Sequence, residues 1–149
     1  MEKLMKLLAL PALLLPVLAS AGEWSKEQQE VLAFEEPCIS TQSADDFINC
    51  FHEDFVGWGT GTVPTSRADR MSLAADSFAS ATNHLILFKP LSVIVRGNLA
   101  VITYLTTGKS TDKATGKVTY STERWTDVCL KDNGKWSWIS DHGATVSGD

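Results

Sequence analysis

The sequence predicts an α+β fold, three helices followed by a four-strand antiparallel meander. Three observations predict it. Helix-start signatures recur at Ser25, Ser43 and Ser66, each leading into an apolar stripe of helical period. From Leu85 onward, β-branched and aromatic residues take over. Asn133-Gly134 lies between two such runs and reads as the turn of a hairpin, because a type I′ turn needs positive φ at both central residues. Helices first and strands later is the order of an α+β domain, not of a parallel βαβ sheet.

The first helix is expected over about residues 25–41. Ser25-Lys26-Glu27-Gln28 forms a capping box, and Val31, Leu32, Phe34, Cys38 and Ile39 form a buried face, with a bend at Pro37. Ser43-Ala44-Asp45-Asp46 repeats the signature and opens a short helix to about residue 52, whose stripe is Phe47, Ile48, Phe51 and Phe55. Phe55 to Trp58 reads as a short strand, and Gly57, Gly59 and Gly61 mark a turn-rich loop up to Pro64. A third helix opens at Ser66, with Asp69 three residues on and Met71, Ala74, Ala75 and Phe78 as its stripe. The strands follow. Leu85–Phe88 and Leu91–Val95 are separated by a bend or bulge at Pro90. Gly97-Asn98 turns the chain into Leu99–Thr107, a polar loop covers Ser110–Gly116, and Val118–Leu130 and Lys135–Thr145 form the hairpin.

The chain has 149 residues, the size of one domain, and 44% of them are hydrophobic, which excludes wholesale disorder. Its 13 basic and 18 acidic residues give a net charge of −5, with no Lys/Arg cluster, so nucleic acid is not an expected partner. Residues 1–21 carry Lys3 and Lys6, then the apolar run Leu7 to Leu18, then Ala19-Ser20-Ala21. That is the pattern of a secretory signal peptide cleaved after Ala21. The run is too short to span a bilayer and contains Pro11 and Pro16. The expectation is therefore an exported protein, periplasmic or secreted, with one domain over residues 22–149 and no membrane association once the leader is gone. Loss of Lys3, Lys6 and Glu2 leaves 11 basic and 17 acidic residues, a net charge of −6. All three cysteines remain, in an oxidising compartment. Cys38 and Cys50, on consecutive helices, are expected to form a disulfide, with Cys129 left as a buried thiol.

Certain segments carry a resemblance. They are Phe51-His52-Glu53-Asp54-Phe55-Val56-Gly57-Trp58-Gly59, Arg67-Ala68-Asp69-Arg70, Glu123-Arg124-Trp125-Thr126-Asp127-Val128 with Asn133-Gly134-Lys135-Trp136, and Trp138-Ile139-Ser140-Asp141-His142-Gly143. With the element order, they resemble the nuclear transport factor 2-like superfamily, and within it the SnoaL-like proteins. The resemblance implies a curved sheet wrapped into a cone, helices packed within it, and one cavity. It also implies a choice of activities, from dehydratase, isomerase, cyclase and hydrolase to non-catalytic association domains that form homodimers. In isomerases of this superfamily a carboxylate base comes on the first short strand. Phe55-Val56-Gly57-Trp58-Gly59 holds no acid, so that route is not expected here.

A two-residue turn at Asn133-Gly134 would pair Asp132 with Lys135, Cys129 with Trp138, Asp127 with Ser140 and Trp125 with His142. Alternation then puts these last six residues on one face, with Glu123 and Trp136. Aromatic rings interleaved with polar groups suit a small-molecule pocket, so this face is expected to line the cavity. The candidate catalytic residues are His142, Asp127 and Glu123, the imidazole as general acid or base beside a carboxylate, or the two carboxylates as a pair with one raised pKa. The candidate ligand-binding residues are Trp58, Tyr104, Trp125 and Trp138. The plainer readings are a structural histidine on an edge strand, a solvated acidic pair and core aromatics. No metal or cofactor is expected. His52-x-Asp54 would need a third ligand, and Gly57–Gly61 lacks both the Lys of a phosphate loop and the helix of a dinucleotide site.

Overall fold

A computed structural model describes residues 23–148; the leader expected at 1–21 lies outside them. The elements are helix α1 (Lys26–Ser40), α2 (Ala44–Ile48), the two-residue strands β1 (Val56–Gly57) and β2 (Thr65–Ser66), helix α3 (Arg67–Ser80), and strands β3 (Ala81–Arg96), β4 (Leu99–Asp112), β5 (Val118–Asp132) and β6 (Lys135–Gly148). The long strands form one antiparallel sheet in the order β3-β4-β5-β6, while β1 and β2 pair with each other. The architecture is the expected α+β one, helices packed on a four-stranded antiparallel sheet.

The caps form as their sequences require. Ser25 Oγ accepts from the Gln28 N–H and the Gln28 side chain accepts from the Ser25 N–H, closing both arms of the box. Ser66 and Asp69 do the same for α3. The α1 helix runs through Pro37 to Ser40, and Gln28 Nε2 ties it to the sheet through the Val93 carbonyl at 2.6 Å. A disulfide joins Cys38, in the last turn of α1, to Cys50, just beyond α2. The α2 helix is shorter than expected and ends at Ile48; Phe51 bridges to Trp138 of β6 instead. On α3, Met71 and Ala75 face out, while Ala74 is buried and Phe78 half-buried. The core is built from Val31, Ile48, Phe51, Phe55, Ile102, Tyr104 and Trp138.

The strands are longer than their apolar stretches. Thr106–Thr111 of β4 continue the ladder by pairing with Val118–Glu123 of β5, so the expected loop shrinks to residues 113–117. The β3 strand runs unbroken through Pro90, with bulges between Leu85 and Leu87 and between Pro90 and Ser92.

Asn133 and Gly134 have φ of 49° and 80°, as the turn demands. The register then follows expectation from Asp132↔Lys135 to Cys129↔Trp138 and departs from it at a bulge. Val128 pairs with Ser140, Asp127 with Asp141, Thr126 with His142 and Trp125 with Gly143. Ile139 is the extra residue, and from Ser140 to Thr145 the β6 side chains change face, up to a second bulge at Val146.

The β6 edge is covered by irregular chain. Trp138 N–H donates to the Cys50 carbonyl and His52 N–H to the Trp138 carbonyl, both at 2.8 Å. Further along, Trp58 N–H donates to the Asp141 carbonyl and Gly143 N–H to the Gly59 carbonyl.

Candidate functional site

The helix α1 presents Val31, Glu35 and Cys38 to the sheet, a spacing of four and three that keeps all three on one face. Glu35 is fully buried. Below it, Trp138 Nε1 donates to Glu35 Oε2 at 3.0 Å, and the Cys129 thiol approaches the same oxygen at 3.8 Å. From the centre of the sheet, Tyr104 donates its phenolic hydrogen to Asp127 Oδ2 at 2.7 Å. Asp127 is 2% exposed.

The two carboxyls lie close enough to act on each other. Glu35 Oε1 and Asp127 Oδ1 receive no N–H or O–H from any other described residue. A proton held between the carboxyls would satisfy both oxygens. Burial pushes the Glu35 carboxyl above the usual range. Burial first, and then the charge of Glu35, pushes Asp127 well above it. Two carboxylates in contact in an apolar setting do not both ionise, so the pair keeps a proton. Tyr104 is also pushed well up, by burial first and then by the charges of Asp127 and Glu35, and therefore stays a donor. The Cys129 thiol is pushed up by burial and is inert.

Asp127 opens onto a cavity of about 390 Å³ between the sheet and the helices. Phe47, Phe51, Tyr104, Trp125 and Trp138 supply aromatic walls. The rings of Phe47 and Phe51 meet Trp138 edge-on, at centroid distances of 5.7 and 4.9 Å. Thr106, Ser110 and Ser121 add hydroxyls further out, and Glu123 stands among them, accepting from Trp125 Nε1 at 3.0 Å.

A largely buried ion pair sits at the cavity wall. Arg70 Nη2 lies 2.7 and 2.8 Å from the two Asp141 oxygens. The side chains are only 15% and 10% exposed. Asp141 Oδ1 also accepts the Gly59 N–H at 2.8 Å. Glycine is required beside this pair: a Cβ on Gly57 would collide with Asp141 Oδ1, and one on Gly143 would meet the Trp125 ring at 2.6 Å.

The structure thus brings Asp127, Glu123, Tyr104, Trp125 and Trp138 to one cavity, and two expected residues stand elsewhere. His142 is exposed on the face away from the helices, opposite Thr126, because the Ile139 bulge turns it outward. The expected pairing of His142 with Trp125 and its approach to Asp127 are corrected accordingly. Trp58 is 45% exposed: β1 turns Gly57 inward and Trp58 outward, so it lines no part of the cavity.

Three site residues were not foreseen. Asp141 was expected on the outer face, and the bulge brings it in. Arg70 follows from Asp141, as the cation that neutralises it. Glu35 had a visible signal, an acid midway between Val31 and Cys38 on an otherwise apolar helix face.

No family model and no curated protein matches this chain. Solved structures do. The ketosteroid isomerase-like protein of Erwinia carotovora atroseptica is similar with a TM-score of 0.73 and 18% identity, over 83% of this chain and 99% of that one. A nuclear transport factor 2-like protein of unknown function from Prochlorococcus marinus gives a TM-score of 0.69 and 18% identity, over 85% and 97%. A type 2 hexachlorocyclohexane dehydrochlorinase gives 0.61 and 8%, over 81% and 84%. At these identities the likeness is one of architecture, and it agrees with the element order, the curved sheet and the cavity: the chain has the nuclear transport factor 2-like fold.

Proposed function

We propose that this protein binds a small, partly apolar organic molecule in the cavity and exchanges a proton with it at Asp127. One observation carries the reading: a buried pair of neighbouring carboxyls, with Asp127 as its cavity-facing member and Tyr104 hydrogen-bonded to it. A carboxyl with a raised pKa keeps its proton where an ordinary carboxyl has lost it, and can therefore donate as well as accept. Burial and then Glu35 raise that pKa, Tyr104 opposes the rise, and Trp125 and Trp138 shape the walls. Among similar structures, one is named isomerase-like and another is a dehydrochlorinase, so enzymes occur on this fold; the reaction here is a matter for the site itself.

A thermal-shift and tryptophan-fluorescence screen of small alicyclic and aromatic carbonyl and hydroxyl compounds tests the binding. Ligands should raise the melting temperature and perturb the Trp emission. For any compound turned over, Asp127→Asn should lower the rate by about 10²–10⁴-fold, the usual contribution of general acid–base catalysis. A screen with no binder, or turnover untouched in Asp127→Asn, overturns the proposal.

Export is part of the same reading. It rests on the pattern of residues 1–21 and on the Cys38–Cys50 disulfide, which suits an oxidising compartment. Expression in a bacterial host with the leader intact should give a product beginning at Gly22.

A second reading, self-association, is favoured by the outer face of the sheet. There Leu87 and Ile94 of β3 are 45% and 50% exposed, beside the half-buried Val101 and Leu105 of β4. Light scattering after size exclusion distinguishes a dimer from a monomer, and Ile94→Lys should return a dimer to monomer. A dimer and an occupied cavity are compatible.

A further inference from the structure

The charges around the cavity are unbalanced, and the imbalance selects a ligand. Arg70 lines the cavity, but its charge is neutralised by Asp141, both of whose oxygens accept from Nη2, while Nε has no partner among the described residues. His84 and Lys109 touch the rim, but they pair across β3 and β4 and alternate with the cavity-facing Gly108 and Ser110, which sends their side chains to the opposite face. What remains along the β5 wall is Asp127, then Trp125, then Glu123, acid, ring and acid on one face of one strand. Asp127 is buried, and its Oδ1 receives no fixed donor beyond the carboxyl of Glu35. The rings of Trp125, Tyr104 and Trp138 line the same space, and the face of an aromatic ring attracts a cation.

We propose that the ligand of this cavity is an organic amine, its ammonium held at Asp127 against the aromatic walls, with Glu123 drawing it in at the mouth. The proposal rests on the reading of the cavity as a small-molecule site and narrows its ligand to a chemical class. An anionic ligand would meet two acids, with the lining cation Arg70 already neutralised by Asp141, and its burial would be unfavourable. A neutral ligand would gain only the apolar contacts and a hydrogen bond. An ammonium gains an ion pair and ring contacts in a site sheltered from water.

Three probes of similar size separate the cases: 2-phenylethylamine, 2-phenylethanol and 3-phenylpropionate, titrated into the purified protein at pH 7.5 and followed by tryptophan fluorescence and calorimetry. The amine should bind at least tenfold more tightly than the alcohol, and the carboxylate should show no saturable binding. Asp127→Asn should abolish the preference for amine over alcohol. Glu123→Gln, nearer the mouth and less committed to the fold, should reduce the preference without abolishing it. If the alcohol binds and the amine is no tighter, or if the carboxylate binds best, the amine assignment is wrong while the small-molecule reading stands. If none of the three binds and the wider screen is also empty, the reading of the cavity fails with it.

Discussion

Tyr104 and Asp127 lie diagonally across two central strands, joined by a 2.7 Å hydrogen bond with both residues buried. Their strand partners are Trp125 and Ile102, so the phenol reaches past its own neighbour to the acid two residues on. That diagonal fixes the cavity-facing acid in one orientation and leaves its other oxygen to Glu35.

The raised carboxyls make stability depend on pH. Because Glu35 and Asp127 hold protons more tightly when folded than when unfolded, their contribution is full below the ordinary carboxylate range, about pH 4. It is lost as pH rises from there through the raised folded values. Urea midpoints measured from pH 5 to pH 9 should therefore fall with pH in the natural protein and fall less steeply in Glu35→Gln. Equal slopes would mean that the two carboxyls do not share a proton.

The Arg70–Asp141 pair should be costly to break. Arg70→Gln leaves a buried carboxylate with one backbone donor, the Gly59 N–H, and should destabilise the protein by about 3–5 kcal/mol, the usual cost of stranding one partner of a buried pair. Amide exchange at Gly59 and Gly143 should accelerate in the same variant, since both N–H groups belong to the hydrogen-bonded array around Asp141.

Two glycines on the sheet should respond oppositely to the same methyl group. In Gly143→Ala the Cβ meets the Trp125 ring within 2.6–2.8 Å, so the ring must move, at a cost of about 1–3 kcal/mol. In Gly108→Ala the nearest atom is the His84 carbonyl oxygen at 3.8 Å, and stability should be unchanged within about 0.5 kcal/mol. Denaturation curves of the two variants, with Trp emission as the second readout, check both.

The disulfide closes a short loop, with a sequence separation of 12 between Cys38 and Cys50. Reduction should destabilise the protein by roughly 3 kcal/mol. Alkylation in denaturant should add one group to the unreduced protein, at Cys129, and three after reduction; three additions without reductant would show that the bridge is absent.

The helix caps, the hairpin turn and the order of elements were legible in the sequence because each depends on local chemistry, a hydroxyl three residues from an N–H or two residues able to take positive φ. The site was legible only in part. The Asp127, Trp125 and Glu123 side of the hairpin followed from strict alternation, which holds along β5. Along β6 it holds only as far as Trp138, because one inserted residue, Ile139, carries no distinctive signature of its own. What the bulge accomplishes is visible only in three dimensions: it brings Asp141 to Arg70, a residue from a helix far away in sequence. Glu35 was hidden for a different reason. A glutamate on a helix is ordinarily solvated, and only the apolar residues above and below it on the same face marked it as buried.

The irregular chain along β6 has a further consequence. A sheet with an open edge is a template for another chain, and four long strands with apolar faces would be a serious liability in a crowded compartment. Here the segments around Cys50–His52 and Trp58–Gly59 already occupy the hydrogen-bonding groups of β6 at Trp138, Asp141 and Gly143. On the far side β3 is blunted by Pro90 and by its two bulges. These short peptide stretches thus guard the protein against aggregation, so variants that loosen them should fail first by precipitating.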